Sequence, residues 1–343
     1  ICLTATASLN VLRDIQVEFS LTNDDVVYKM NNSREELDFR ILSPAYRSEI
    51  NFEVRKLEEA KRPALKKLLK ELETKNWASK EAAGIIFTPH VNGGLGCYNI
   101  QENLKNNFPH LKTGLFSGRR PKNYKPVDDE TREKFGSYPT EEGFTRIKFN
   151  YQEKFKKNEL ALMCVTKAFG MGINKPNIRF TIHYAMPNSM EALYQEGGRA
   201  GRDGKDAQCY VLFTEADNEI PDWLHGIETD PEEIKSWMSA NEYTGGDFRE
   251  QLWLTFNDLN QIEDDLTVCL KVLETIEKYS PKDCTVMRSA YNFDDLFLDE
   301  NKKKRKVSIN IEKAIYRLYI LGLVDDWTVL GYGNQESYRV TTR

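Results

Sequence analysis

Arg199 and Arg202 stand three residues apart in the run QEGGRAGRDG at 195–204, surrounded by glycines at 197, 198, 201 and 204. On one helical turn this spacing lets two guanidinium groups face the same target. The glycines keep the surroundings small, so another chain segment or a phosphate can approach closely. Such a pair suits a polyphosphate whose negative charge spreads in a transition state, where one arginine is worth about 10³ to 10⁵ in rate. The bland alternative is a surface pair held by nearby carboxylates. Upstream, the run CVTKAFGMGINKP at 164–176 sets Gly170 and Gly172 around Met171 after an apolar stretch. Backbone amides freed in such a loop can hold phosphate oxygens of a nucleotide or of a nucleic-acid backbone, although a tight strand-to-helix turn also explains the glycines.

The elements that must position these residues are legible from short apolar runs. GIIFT at 84–88, LALMCVT at 160–166, RFTIHY at 179–184 and QCYVLF at 208–213 alternate with helical segments. Strands apolar on both faces and separated by helices predict an α/β lobe, a parallel sheet covered on both sides. Residues 37–42 add strand character, and Val11, Leu12, Ile15 and Phe19 have helical spacing after Ser8, a cap. The segment 53–75 predicts an amphipathic helix, with Leu57, Leu65, Leu68, Leu69 and Leu72 on one side and Pro63 interrupting or starting it. The stretch 119–145, rich in Lys, Pro, Gly and Asp, has no period and predicts an exposed loop or insertion. Beyond Asp217 the strand pattern gives way to a helical connector to about 265, with Trp223, Trp237 and Trp253 as packing anchors. Helices over 268–279 and 311–321, followed by two apolar runs around Gly331–Asn334, predict a winged helix ending in a β-hairpin.

Charge and cysteine usage narrow the function classes. Acidic residues outnumber basic ones by 53 to 48 in this 343-residue chain, so nucleic-acid binding must come from local basic patches. The six cysteines, at 2, 97, 164, 209, 269 and 284, form no CxxC pair and have no histidine at ligand spacing. Neither structural zinc nor a disulfide framework is expected, and a reducing, cytoplasmic setting fits. There is no run of eighteen apolar residues and no signal-peptide pattern, which leaves a membrane reading without support.

The runs TKAFGMGINKPNIRFTIHYAMP and YQEGGRAGRDG resemble motifs V and VI of the RecQ group of superfamily 2 ATP-dependent DNA helicases. LTATAS at 3–8 is similar to motif III, and GIIFT sits where motif IV belongs. The resemblance reaches from the first residue to about Thr214 and implies a RecA-like second motor lobe. On it the chain divides into the end of a first RecA-like lobe with its linker (1–36), the second lobe (37–218), a helical connector (219–265) and a winged-helix-like domain (266–343).

Carried over residue by residue, the resemblance implies Arg202 as arginine finger, with Arg199 and Gln195 contacting the nucleotide or coupling the lobes. It implies that Gly170, Gly172 and Asn174 line the ATP side, and that Thr4, Thr6, Thr88 and Thr166 lie toward the DNA. ATP and Mg, the metal bound mainly by a missing first lobe, would be the cofactors, and single-stranded or forked DNA the partner. Lys304 and Arg305, in the basic run 302–306, are placed to touch phosphates, and Tyr332 to stack at a wing tip; a solvated loop and simple packing are the plain alternatives. His183 is expected to be a sheet-end histidine with satisfied hydrogen bonds.

The chain departs from the family pattern in several places. Asn174 stands where Asp is usual and Gly197 where Ser is usual; GIIFTPHVNGGLG does not continue as motif IV does; 119–145 is long; and no four-cysteine zinc module follows motif VI. No GxxxxGK[ST] loop or DEAH box occurs, so the chain is expected to be part of a longer protein and inactive alone. A DNA-binding module without strand separation, and an RNA helicase of the same superfamily, are the rival readings. Repair, recombination and defence against foreign DNA all stay open.

Overall fold

The computed structural model describes residues 9–27, 34–43, 57–79, 81–170, 173–215, 220–225, 229–241, 245–256, 262–279, 284–287, 309–331 and 337–342. The chain forms two compact units, Ile1–Leu252 and Trp253–Arg343.

In the first unit, α1 (Leu9–Glu18) precedes β1 (Leu37–Leu42), α2 (Leu57–Thr74), β2 (Ala83–Phe87), α3 (Cys97–Asn107) and β3 (Thr113–Phe116). There follow α4 (Asp129–Phe135), α5 (Glu141–Lys156), β4 (Leu162–Val165), β5 (Ile178–His183), α6 (Met190–Gly197), β6 (Ala207–Leu212), α7 (Pro231–Ala240) and α8 (Gly246–Phe256), of which residues 246–252 belong to this unit. The strands make one sheet in the order β1-β6-β5-β2-β4-β3, and every pairing is parallel. Every residue of β2, β3, β4, β5 and β6 is buried, as a sheet covered on both faces requires. Leu65, Leu68, Leu69 and Leu72 of α2 share one core with Ile100 and Leu104 of α3 and with Phe144, Ile147 and Phe155 of α5.

Two expectations for this unit are corrected. Pro63 neither starts nor interrupts α2 but lies inside it. An interior proline costs about 3 kcal/mol, and burying each leucine returns about 1.5–3 kcal/mol, so the helix continues. The stretch 119–145 is not a bare loop. Tyr124 is fully buried, its ring 5.2 Å from Tyr98 and 5.0 Å from Phe144. Asp128 caps α4 through the Thr131 amide and accepts the Tyr151 hydroxyl, while Thr140 caps α5 through the Gly143 amide.

The tryptophan anchors hold only in part. Trp237 packs edge-on against Phe248 at 5.9 Å, whereas Trp223 and Trp253 are exposed. Among the described residues no helix is long and apolar enough to cross a membrane.

The second unit contains α9 (Ile262–Tyr279), β7 (Cys284–Met287), α10 (Ile311–Ile320), β8 (Asp326–Gly331) and β9 (Ser337–Thr341). Its antiparallel sheet has the order β7-β9-β8, so the expected hairpin is present and a third strand joins it. Val268, Val272 and Ile276 of α9 meet Ile315 and Leu318 of α10 and Tyr338 and Val340 of β9 in a separate core.

Candidate functional site

Parallel topology sorts the candidate residues onto two edges of the sheet. Thr88 and Thr166 each follow a strand, β2 and β4, so both lie at the C-terminal edge. The Thr88 hydroxyl lies 3.1 Å from the Val165 carbonyl and 3.0 Å from that of His90, which commits its proton within the protein. Thr166 is buried; its amide donates to Phe116 and its carbonyl accepts from Phe169. Gly170 closes the short 3-10 turn Lys167–Gly170 on the same side. His183 ends β5 with its ring stacked on Phe87 at 5.1 Å and Nε2 2.9 Å from Glu196 Oε2. Its buried Nδ1 has no partner, so the expected full satisfaction is half met.

The arginines lie on the other side, and not on a helix. α6 starts at a Ser189 cap and ends at Gly197, leaving Arg199 and Arg202 in the turn that leads to β6. The Gly197–Gly198 pair and Gly201, with φ +64°, stop the helix, since each glycine costs about 1 kcal/mol in a helix interior and an L side chain rarely tolerates that φ. The Gly201 amide donates to Ile178 at 3.0 Å, which ties the turn to the start of β5. Arg202 thus reaches the N-terminal edge, where Nη1 donates to the Ile173 carbonyl at 2.9 Å and Asn174 Oδ1 at 3.3 Å. An Asp at 174 would form an ion pair with this guanidinium, whereas Asn gives it a neutral acceptor and leaves the positive charge without a carboxylate there.

Arg199 is buried, and its Nε has no hydrogen-bond partner. Burial holds its pKa below the usual value, the nearby Arg202 charge pushes it down further and Glu196 opposes. A buried guanidinium edge without an acceptor, beside a second exposed cation, fits an incoming anion. Gln195 is exposed on the last turn of α6. Among the described residues no three His, Cys, Asp or Glu side chains are placed to hold a metal ion. Thr4, Thr6, Gly172, Lys304, Arg305 and Tyr332 lie outside the described residues.

Two further arginines, unmarked by any motif, brace the turn. Arg34 donates to the carbonyls of Gly198 at 2.5 Å and Ala200 at 2.9 Å and is held by Glu36 at 2.7 Å. Arg179, also buried, pairs with Asp203 and donates to Asp206 O at 3.0 Å and Pro176 O at 2.8 Å. Arg34→Ala removes both bonds on the carbonyls flanking Arg199. Hydrogen exchange at the amides of 199–204 should then speed up at least tenfold, with little change in β4 or β5; unchanged exchange would show that the turn holds itself.

Lys175, next to Asn174, is almost fully buried, with Nζ on Asn158 Oδ1 and 5.0 Å from the Phe155 ring centroid. Burial pushes its pKa down to about 8. A lysine with a lowered folded pKa penalises the fold below that value, and the penalty fades as pH rises toward the unfolded value of about 10.4. Lys175→Met should therefore gain stability over wild type at pH 7 and lose that advantage by about pH 10. Denaturant titrations at both values check this, and a gap that widens with pH would contradict the sign.

The Helicase conserved C-terminal domain family matches residues 148–204, from the second half of α5 through the arginine turn. An ATP-dependent DNA helicase RecQ of Bacillus subtilis (strain 168) is 31% identical over 215 residues, covering 63% of this chain and 28% of that protein. Over this lobe the chain is similar to RecQ-like superfamily 2 helicases. Identity rises to 53% over 64 residues with ATP-dependent DNA helicase Q-like 2 of Arabidopsis thaliana, covering 19% of this chain and 9% of that protein. This chain thus spans less than a third of the length of either relative. Among solved structures, S. cerevisiae Dbp5 bound to RNA and ADP BeF3 aligns with this chain at TM-score 0.38 and 13% identity, covering 62% of this chain and 44% of that one.

Proposed function

We propose that this chain supplies the second motor lobe of an ATP-dependent DNA helicase of RecQ type, with an ATP-binding lobe contributed by the rest of a longer protein. The observation that carries the reading is the arginine turn, where the acceptor-free Arg199 edge and the charged Arg202 are braced by Arg34 and Arg179. Bound ATP supplies the phosphoryl chemistry, with Mg held mainly by the other lobe. Arg199 and Arg202 orient and neutralise phosphate charge, and Arg202 acts as the finger. Gln195 and Asn174 border that site. Thr88 and Thr166 shape the opposite edge, where DNA passes, so the sheet connects the nucleotide side to the strand side.

The second unit is read as a winged helix, on the support of two helices and a three-stranded antiparallel sheet around one core. Lys304, Arg305 and Tyr332 are its DNA-contacting residues on this reading, and Thr4 and Thr6 link ATP state to DNA grip.

Strand displacement on a forked duplex, by the protein carrying both lobes, tests the reading. ATP-dependent release of the displaced strand is expected. DNA-stimulated hydrolysis without release would instead support a motor-like switch, and stimulation by RNA in preference to DNA would point to an RNA helicase.

A further inference from the structure

β1, LDFRIL at 37–42, ends the six-stranded sheet, and among the described residues only β6 pairs with it. The Glu36 carbonyl accepts the Ala207 amide and the Leu42 carbonyl accepts the Phe213 amide, so the backbone groups of even-numbered residues face β6. Those of Leu37, Phe39 and Ile41 therefore face away from the sheet. The Leu37 amide closes a turn on the Arg34 carbonyl at 3.1 Å. Among the described residues this leaves the Leu37 carbonyl, and both backbone groups of Phe39 and Ile41, for a further strand. Asp38 to Ile41 are exposed, whereas every residue of the neighbouring β6 is buried.

Side chains alternate along this edge. Phe39, 40% exposed, and Ile41, 70% exposed, lie on one face, where the Phe39 ring stacks on Tyr194 of α6 at 6.3 Å. On the other face Asp38 and Arg40, each about half exposed, pair with one another at 2.7 Å, and Gln208 donates to Asp38 at 3.2 Å. Edge strands are commonly protected by a proline, a β-bulge or lysines. β1 has none of these: it runs in unbroken register with β6, and its two charges have opposite signs. Turned antiparallel about Phe39, the run Leu-Asp-Phe-Arg-Ile is complementary to itself, apolar against apolar and acid against base.

We propose that β1 pairs antiparallel with β1 of a second copy of this chain, across a two-fold axis at Phe39. The two Phe39 residues then exchange both backbone bonds, and each Ile41 amide donates to the opposite Leu37 carbonyl. Asp38 faces the second copy's Arg40 at a position without backbone bonds, where Cα atoms approach to about 4.5 Å and side chains meet most closely. Charge fixes this register. A slip by two residues sets Arg40 against Arg40 or Asp38 against Asp38, and a slip by one puts the outward backbone groups out of phase. A parallel in-register approach sets like against like at both positions. The contact uses the same patch on both copies, so it closes as a dimer. One short strand pair buries little area, and the dimer is accordingly weak. The contact stands apart from the motor reading, although β1 begins just after Arg34 and so adjoins the arginine turn.

Sedimentation equilibrium of the 343-residue chain from about 1 to about 300 μM tests the pairing. A reversible monomer–dimer equilibrium is expected. Asp38→Arg or Arg40→Asp alone sets like charges opposite each other on both sides of the axis and should weaken the dimer at least tenfold. Asp38→Arg/Arg40→Asp restores opposite signs across the axis and should return affinity to within about threefold of wild type. Ile41→Pro removes an outward amide while leaving the ladder to β6 intact, and should also weaken the dimer at least tenfold. Hydrogen exchange at the Phe39 and Ile41 amides should slow as concentration rises, with little change at Asp38 and Arg40. A wild-type chain that stays monomeric at about 300 μM overturns the proposal. Protection of the Phe39 and Ile41 amides in that monomer would assign the edge to a segment of the same chain, and fast exchange would leave it to a strand of another protein. A dimer indifferent to the single reversals lies elsewhere and overturns the proposal equally. One lost in the single variants and not regained in the double overturns the antiparallel register.

Discussion

Lys61→Met should destabilise the first unit by about 3–5 kcal/mol, a loss expected when one partner of a buried ion pair is removed. Lys61 of α2 and Asp247 of α8 are both fully buried, with Nζ 2.5 Å from Oδ2. Nζ also donates to the Leu212 carbonyl, and the carboxylate accepts the Thr214 amide at 2.6 Å and the Met186 amide at 3.3 Å. Burial pulls both groups toward their neutral forms, Lys61 down and Asp247 up, against their mutual attraction. Removing the ammonium leaves a carboxylate in the interior with backbone donors alone.

Because those donors follow β5 and β6, the pair also fixes the first turn of α8 to the sheet's C-terminal edge, where His90 and Glu250 add a contact at 2.5 Å. The double variant Lys61→Met/Asp247→Asn should recover most of the loss. Urea titration of the two variants decides the matter; a single-variant loss below about 1 kcal/mol would mean that the carboxylate escapes burial.

Arg202→Ala, in the protein with its ATP-binding lobe, should lower ATP turnover by about 10³- to 10⁵-fold. Oligo-dT affinity should stay within about twofold, because the residue sits at the edge opposite Thr88 and Thr166. Arg202→Lys should not restore turnover, since an ammonium lacks the planar fork that serves several phosphate oxygens. Steady-state hydrolysis and anisotropy on the same preparations separate the two effects. A matched fall in DNA affinity would place Arg202 on the strand side and undo the two-edge arrangement.

What was legible in the sequence follows physical lines. β2, β4, β5 and β6 announce themselves because strands buried on both faces must be apolar throughout. α9 and α10 show the helical period of elements with one buried side. β3 is four residues with a glycine in the middle, and α3, CYNIQENLKNN, buries only one narrow side, so neither carries a clear pattern. The 119–145 stretch hid its order because Tyr124 and Val127 anchor it without a period; the better signal lay in Asp128 and Thr140, each followed by acidic pairs suited to a helix start.

The chemistry-bearing arginines were visible, but their support was not. Arg34 acts across 164 residues of chain, and nothing local marks it as a brace. The helical placement of Arg199 and Arg202 failed because spacing alone ignores what four neighbouring glycines do to a helix. Lys61 was equally hidden: a lysine on an amphipathic helix reads as solvated, and only the fold brings Asp247 to it.

The most direct test of the central claim is ATP turnover by the protein containing both lobes, measured as single-stranded DNA is titrated in. A motor with its nucleotide turn at one edge of this sheet and its strand at the other predicts low basal turnover that rises at least tenfold and saturates with DNA. Turnover that ignores DNA, at any concentration that saturates binding, would contradict it.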